Sequence, residues 1–200
     1  MPPAEEVQQY LLGAWRMMLG RVDGLDLLDI SSDGFWNSFF AIVLATPVLV
    51  VGWVGYANEC ALPTDGLAWR IGIVARLALA DLAAWLVPIA CLAAVVGRTG
   101  LGDRFVHYVV ASNWGSVITI WLMLPPSLME LVGAGGNEVV GPMYLVLMVV
   151  ALVLGWRLTN AALQKGPGLA TALFSAMLVA AIFSLYTMQS LLGVLPAVKG

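Results

Sequence analysis

Five apolar stretches, each about as long as a bilayer is thick, occupy most of this chain and leave it few ways to fold. A hydrocarbon core of about 30 Å needs roughly 20 apolar residues of helix. The stretches run over about 35–56, 69–96, 105–124, 139–156 and 169–195. Lipid offers backbone N–H and C=O groups no partners, so each stretch must satisfy its own and be helical. With 61% hydrophobic and 10% charged residues among 200, the chain cannot clothe a soluble surface. The predicted fold is therefore all-α: a polytopic membrane protein whose five transmembrane helices make up 33–200, with 1–32 as a cytoplasmic or interfacial segment. Pro63-Thr64-Asp65-Gly66, Gly97 to Gly102, Gly133 to Gly136 and Gly166-Pro167-Gly168 separate the spans. Connections this short make consecutive helices antiparallel neighbours.

Orientation follows from Lys and Arg in the connections. Arg16, Arg21, Arg98, Arg104, Arg157 and Lys165 fall on one side; Arg70 and Lys199 fall on the other. Six against two places the N-terminus in the cytoplasm and the C-terminus outside, in the periplasm for a bacterial inner membrane. No cleavable signal sequence is expected, because the first thirty residues carry acids and glycines where a basic start and short apolar core would be needed. Within that segment Val7, Leu11, Ala14, Met18, Val22 and Leu25 recur at helical spacing, with Glu5, Glu6, Gln8, Gln9, Arg16 and Asp23 elsewhere on the wheel. A helix so patterned lies in the membrane interface, as an anchor or as a docking element for a partner. Gly20 and Gly24 are expected to break it, and the run from Asp29 to Asp33 to supply the cap of the first span.

Only two ionisable side chains lie well inside the spans, Arg76 and Asp81, both in the second. A charge in hydrocarbon costs several kcal/mol unless it snorkels or finds a partner. Counted from Gly97, Asp81 sits about 24 Å and Arg76 about 30 Å along the helix, so Arg76 can reach the outer interface. Five residues separate them, about 140° around the helix, a poor arrangement for an ion pair. The same counting brings Thr119 and Ser184 to the level of Asp81. Ser112, Ser116 and Thr119 form one stripe with Asn113 beside it. Arg76, Asp81, Asn113, Ser116, Thr119 and Ser184 thus make the candidate intramembrane polar site. It is read as a network holding the bundle together, as a proton or ion site, or as a contact to a partner chain.

Helices in lipid associate through close packing of small residues. Gly168, Ala172, Ala176, Ala180 and Ser184 repeat every four residues along the fifth span and are expected to face other helices. Pro47, Pro88 and Pro125-Pro126 are expected to kink or end theirs.

Several chemistries are excluded. A net charge of −3 argues against nucleic-acid binding. Cys60 and Cys91 form no CxxC, and one histidine, His107, makes no tetrahedral metal site alone. Neither a metal nor a cofactor is expected. Gly100-Leu101-Gly102-Asp103 fits the GxGD pattern of intramembrane aspartyl proteases, with Asp81 as the nominal second acid. Such dyads share a proton across a few ångströms, and about 24 Å of depth separates these two. The chain is therefore read as non-enzymatic.

The turn Val96-Gly97-Arg98-Thr99-Gly100 running into Phe105-Val106-His107-Tyr108 resembles the Yip (Ypt-interacting-protein) domain in its bacterial form, as does Gly155-Trp156-Arg157-Leu158 continuing to Gly168-Leu169-Ala170-Thr171-Ala172-Leu173. The resemblance covers about 35–195 and implies five spans behind a cytosolic segment. Eukaryotic members partner small GTPases in vesicle traffic, an activity without counterpart in a bacterium, and no site residue carries over. The function expected is that of a membrane scaffold or accessory subunit acting through helix association, alternatively a small transporter or channel using Asp81. Its partners are the lipid bilayer and other membrane proteins or further copies of the chain. The surroundings of Asp81 discriminate: a dry, fully bonded site favours the scaffold, a polar cavity favours transport.

Overall fold

The computed structural model describes residues 2–62, 64, 66–134 and 136–194; Pro63, Asp65 and Lys199 lie outside them. Its elements are α1 (Ala4–Met18), a 3-10 turn (Val22–Leu27), α2 (Ser32–Ser38), α3 (Phe40–Cys60), α4 (Leu67–Thr99), α5 (Phe105–Leu122), α6 (Leu124–Leu131), α7 (Gly136–Leu163) and α8 (Pro167–Leu191), with a short 3-10 turn (Gly102–Arg104) before α5. Among the described residues, five helical stretches are long and apolar enough to cross a membrane: Ser32–Cys60, Leu67–Thr99, Gly102–Leu122, Glu138–Leu163 and Pro167–Leu191.

Local chemistry sets the ends. Ser31 caps α2, its Oγ accepting from Gly34 N at 3.1 Å. Gly20, at φ +83°, ends α1 in a conformation that costs glycine nothing. Gly20 N then donates to Met17 O at 2.8 Å and Arg21 N to Arg16 O at 2.9 Å, the paired bonds of a Schellman cap. Pro125 and Pro126 end α5 and begin α6, where missing N–H groups cost nothing. Pro47 and Pro88 stay inside α3 and α4 and deprive the carbonyls of Val43 and Ala84 of their helical donors. α7 begins at Gly136, earlier than the sequence expectation of 139, and runs through Pro142.

The long helices close a ring in the order α3, α4, α8, α7, α5 and back to α3. α4 and α8 form the most extensive pair, while α5 stands across the ring with little direct contact to either. Four indoles stitch the ring. Trp53 Nε1 of α3 donates to Asp81 Oδ2 of α4 at 2.6 Å, and Trp85 Nε1 of α4 to Asn113 Oδ1 of α5 at 2.9 Å. Trp121 Nε1 of α5 donates to Leu44 O of α3 at 2.9 Å, and Trp156 Nε1 of α7 to Thr171 Oγ1 of α8 at 2.9 Å. In lipid an unsatisfied N–H costs several kcal/mol, which pins each indole to its acceptor.

Two expectations are corrected. The apolar stripe of α1 faces protein. Tyr10, Ala14, Met17 and Met18 are buried, and with Val7 and Leu11 they join a cluster containing Val110, Trp114 and Val117 of α5 and Leu158, Ala161 and Ala162 of α7. Only Val22 of the predicted stripe stays exposed. Gly115 permits this seat: a Cβ there would lie 2.5 Å from Leu158 Cδ1 and 3.1 Å from Met18 Cε. The ridge of α8 is the second. Gly168, Ala172 and Ala176 are exposed, Ala180 is half-buried and only Ser184 is buried. The residues that α8 buries are Ala170, Leu173 and Ser184, so its inward face lies around the helix from most of the ridge.

Candidate functional site

Asp81 lies one residue beyond the fully buried Ala80 on α4 and is itself half-buried. Its Oδ2 accepts the Trp53 indole, and its Oδ1 has no hydrogen-bond partner among the described residues. An aspartate at mid-helix costs about 2.5–3.5 kcal/mol or more to insert. A hydrogen bond to a charged group returns about 1.5–3 kcal/mol. One indole offsets part of that cost, and Asp81 lines a cavity.

That cavity, about 340 Å³, lies between α3, α4, α5 and α8. Asp81, Ala84 and Trp85 line one side, and Tyr108, Ser112, Ser116 and Thr119 the other. A second cavity of about 310 Å³, between α5, α7 and α8, shares the same α5 stripe, and Met18 of α1 lies in its wall. The stripe thus separates two chambers inside the ring.

The hydrogen bonding of the stripe decides what it offers. Ser112 Oγ donates to Val109 O at 3.1 Å, Ser116 Oγ to Ser112 O at 2.8 Å and Thr119 Oγ1 to Ser116 O at 3.1 Å. Their protons are spent on their own helix, so they present lone pairs to the cavity. Asp81 Oδ1 adds another acceptor. The Tyr108 hydroxyl has no hydrogen-bond partner among the described residues, although the side chain is only 5% exposed. The wall is acceptor-rich and suits a ligand that donates hydrogen bonds or carries positive charge.

The predicted residues divide. Asp81, Ser116 and Thr119 meet at the cavity with Asn113 beside them. Asn113, 1% exposed, has its amide occupied: Nδ2 donates to Ser38 Oγ at 2.9 Å, while Oδ1 takes the Trp85 indole. It joins α2, α4 and α5. Ser184 is buried on α8 but does not line the cavity, where Met177 and Ala181 stand instead. Level counting fixes depth and leaves azimuth open, which is why Ser184 was expected there. Arg76 lies on the exposed side of α4 and makes no ion pair among the described residues. Trp53, Trp85 and Tyr108 complete the site without having been singled out by sequence; an indole N–H in mid-span, obliged to find an acceptor, was the available signal.

The GxGD segment serves the loops. Lys165 Nζ donates to Gly100 O at 2.7 Å and to Asp103 Oδ1 at 2.6 Å, and Arg104 Nη2 to Gln164 Oε1 at 3.3 Å, tying the α4–α5 turn to the α7–α8 turn. α4 is continuous from Asp81 to Thr99, about 27 Å of helix, so the two acids stand at different levels. Among the described residues no three His, Cys, Asp or Glu side chains gather as a metal site would need.

No known protein family, no curated protein and no solved structure matches this chain.

Proposed function

We propose that this protein is a small transporter or channel whose intramembrane site takes a proton or a small ammonium-type cation, with Asp81 as the counter-charge. One observation carries the reading: a half-buried aspartate, one oxygen held by Trp53, lines a cavity together with the hydroxyl residues Ser112, Ser116 and Thr119. Tyr108 and Trp85 line the same cavity, and aromatic rings attract cations. The broken hydrogen bonding at Pro88, beside Ala84 in the same wall, is a feature that transporter sites share. Asn113, tied up between Ser38 and Trp85, acts as a structural brace and takes no part in ligand binding.

We place the chain in a bacterial inner membrane with its N-terminus in the cytoplasm. The basic side chains of the turns, joined through the Lys165 and Arg104 bonds, support one cytoplasmic end. α1 sits at that membrane surface, and its outer flank of Leu12, Trp15 and Leu19, all exposed, supplies the lipid-facing side.

The test is flux. Proteoliposomes should take up methylammonium saturably or dissipate a proton gradient, and Asp81→Asn should abolish the activity. No flux above empty liposomes, or equal flux in both proteins, overturns the proposal.

A second reading, a scaffold or accessory subunit acting through helix association, has the uncovered Gly168, Ala172 and Ala176 of α8 in its favour. Self-association in lipid, or co-purification of a stoichiometric membrane partner, that Ala176→Leu abolishes would support it.

A further inference from the structure

A groove of about 790 Å³ opens at the end of the ring where α1 turns back against α7. Its polar side chains are Arg157, Asn160, Gln164 and Trp156, and among the described residues its wall contains no carboxylate. The cation is fixed in place: Arg157 Nη2 donates to the carbonyl of Leu19, with the guanidinium packed over Gly20, where a Cβ would lie 2.7 Å from Nη2. That bond uses one of five donors and leaves the others to the groove. Gln164 Oε1 is engaged by Arg104, which leaves its amide N–H groups as donors. Asn160 has no side-chain hydrogen bond among the described residues. The nearby acids are occupied elsewhere, Asp23 by Arg16 at 3.4 Å and Arg21 at 3.1 Å, Asp103 by Lys165 at 2.6 Å. The groove is thus a donor-rich cationic recess, opposite in character to the Asp81 cavity.

Its position selects the anion. Arg157 lies six residues, about 9 Å, inside the end of α7, the depth at which headgroups meet acyl chains. The groove continues into apolar surface. Val153 and Val22 line it and are 51% and 48% exposed. Val149 and Val146 extend the Val153 column along α7, and both are exposed. Trp156, its N–H already given to Thr171, offers a ring wall between head and chain. A free inorganic anion would use the donors and ignore the valine column; an amphiphile uses both. We infer that this groove binds an anionic phospholipid, its phosphate on Arg157, Asn160 and Gln164 and one acyl chain along Val153, Val149 and Val146. Basic pockets between spans are suited to such headgroups. The bound lipid would pin the α1–α7 junction from outside, beside the wall of the second chamber that Met18 completes.

The experiment measures Tm of the detergent-purified protein during titration with phosphatidylglycerol, phosphatidylcholine or inorganic phosphate. A ligand that binds the folded state raises Tm according to its affinity. Phosphatidylglycerol should stabilise at lower mole fraction than phosphatidylcholine, and phosphate should do little. Arg157→Gln should raise the half-saturating phosphatidylglycerol about tenfold, the loss of one charge-assisted contact. Because Arg157 also holds Leu19 O, that variant can fail to fold. Val22→Glu leaves the bond intact, places a carboxylate in the groove and should weaken phosphatidylglycerol to a similar degree. Equal responses to the two lipids, a full phosphatidylglycerol response in Val22→Glu, or reproduction of the shift by phosphate alone would overturn the inference.

Discussion

Gly115→Ala is the sharpest test of how α1 is seated. The added Cβ would stand 2.5 Å from Leu158 Cδ1 and 3.1 Å from Met18 Cε. Leu158 is 2% and Met18 1% exposed, but the struck atoms are the flexible ends of both side chains, and both border the cavity of about 310 Å³, into which they can turn. Overpacking of this kind costs about 1–3 kcal/mol. Alanine returns about 1 kcal/mol of helix propensity over glycine. With only flexible ends displaced, and a cavity beside them, the overpacking belongs near the bottom of its range and the net change is within about 1 kcal/mol. For a chain of this size that moves Tm by no more than about 4 °C. Leu158→Ala removes the atom struck first and on its own costs about 2–5 kcal/mol as a cavity. In the double variant the new methyl partly fills that cavity, so the combined loss should fall short of the sum by about 1 kcal/mol or more. Differential scanning fluorimetry in detergent reads all four proteins. Strict additivity in the double variant would falsify the seating of Met18 and Leu158 around Gly115, and a fall well beyond about 4 °C in Gly115→Ala would show that neither side chain can turn into the cavity.

Other expectations follow from single contacts. Burial, and after it the charge of Glu6 that accepts its hydroxyl at 3.2 Å, raises the Tyr10 pKa above the usual 10.0. A phenol whose folded-state value is raised stabilises fully below the unfolded value and loses that contribution as pH rises through the folded value. Docking of α1, followed by protease access to its C-terminal turn, should thus loosen only above about pH 10, and Tyr10→Phe should remove the alkaline step. Ala176→Leu should melt within about 0.5 kcal/mol of the parent in monomeric detergent preparations, because Ala176 is exposed; a large drop would show a covered ridge. A periplasm-specific reporter fused after Gly200 should be active, and cytoplasmic activity would contradict the proposed orientation.

Much of the fold was legible because lipid permits so little. The second and third spans, expected at 69–96 and 105–124, are found as Leu67–Thr99 and Phe105–Leu122. The fourth, expected at 139–156, is longer and runs over Gly136–Leu163: Gly136 read as loop and yet opens α7, and the helix continues past Trp156 to Leu163. Asp81 was visible as the rare carboxylate within a span, and the Ser112–Ser116–Thr119 stripe as a helical repeat. Their facing across the ring was not visible, because depth follows from counting and azimuth follows only from packing. The same gap explains Ser184 and the α8 ridge: a run of small residues marks where close approach is permitted and leaves open which neighbour, if any, comes near. Tyr108 carried no signal of its own in the sequence; its burial follows from the cluster it forms with Leu163, Ala170 and Leu173. The stripe of α1 was read correctly as a stripe, and its occupant was misassigned because amphipathicity alone does not distinguish lipid from a helical groove.

Cation binding at Asp81 is the most direct measurement. Trp53 and Trp85 lie beside the cavity, so their emission reports on its contents. Titration of the purified protein with methylammonium and tetramethylammonium should give a saturable change in tryptophan fluorescence. Asp81→Asn, which keeps the indole acceptor and removes the charge, should abolish it, and Tyr108→Phe should weaken it without loss of Tm. An identical saturable response in the parent and Asp81→Asn, or none in the parent at millimolar cation, would contradict the account.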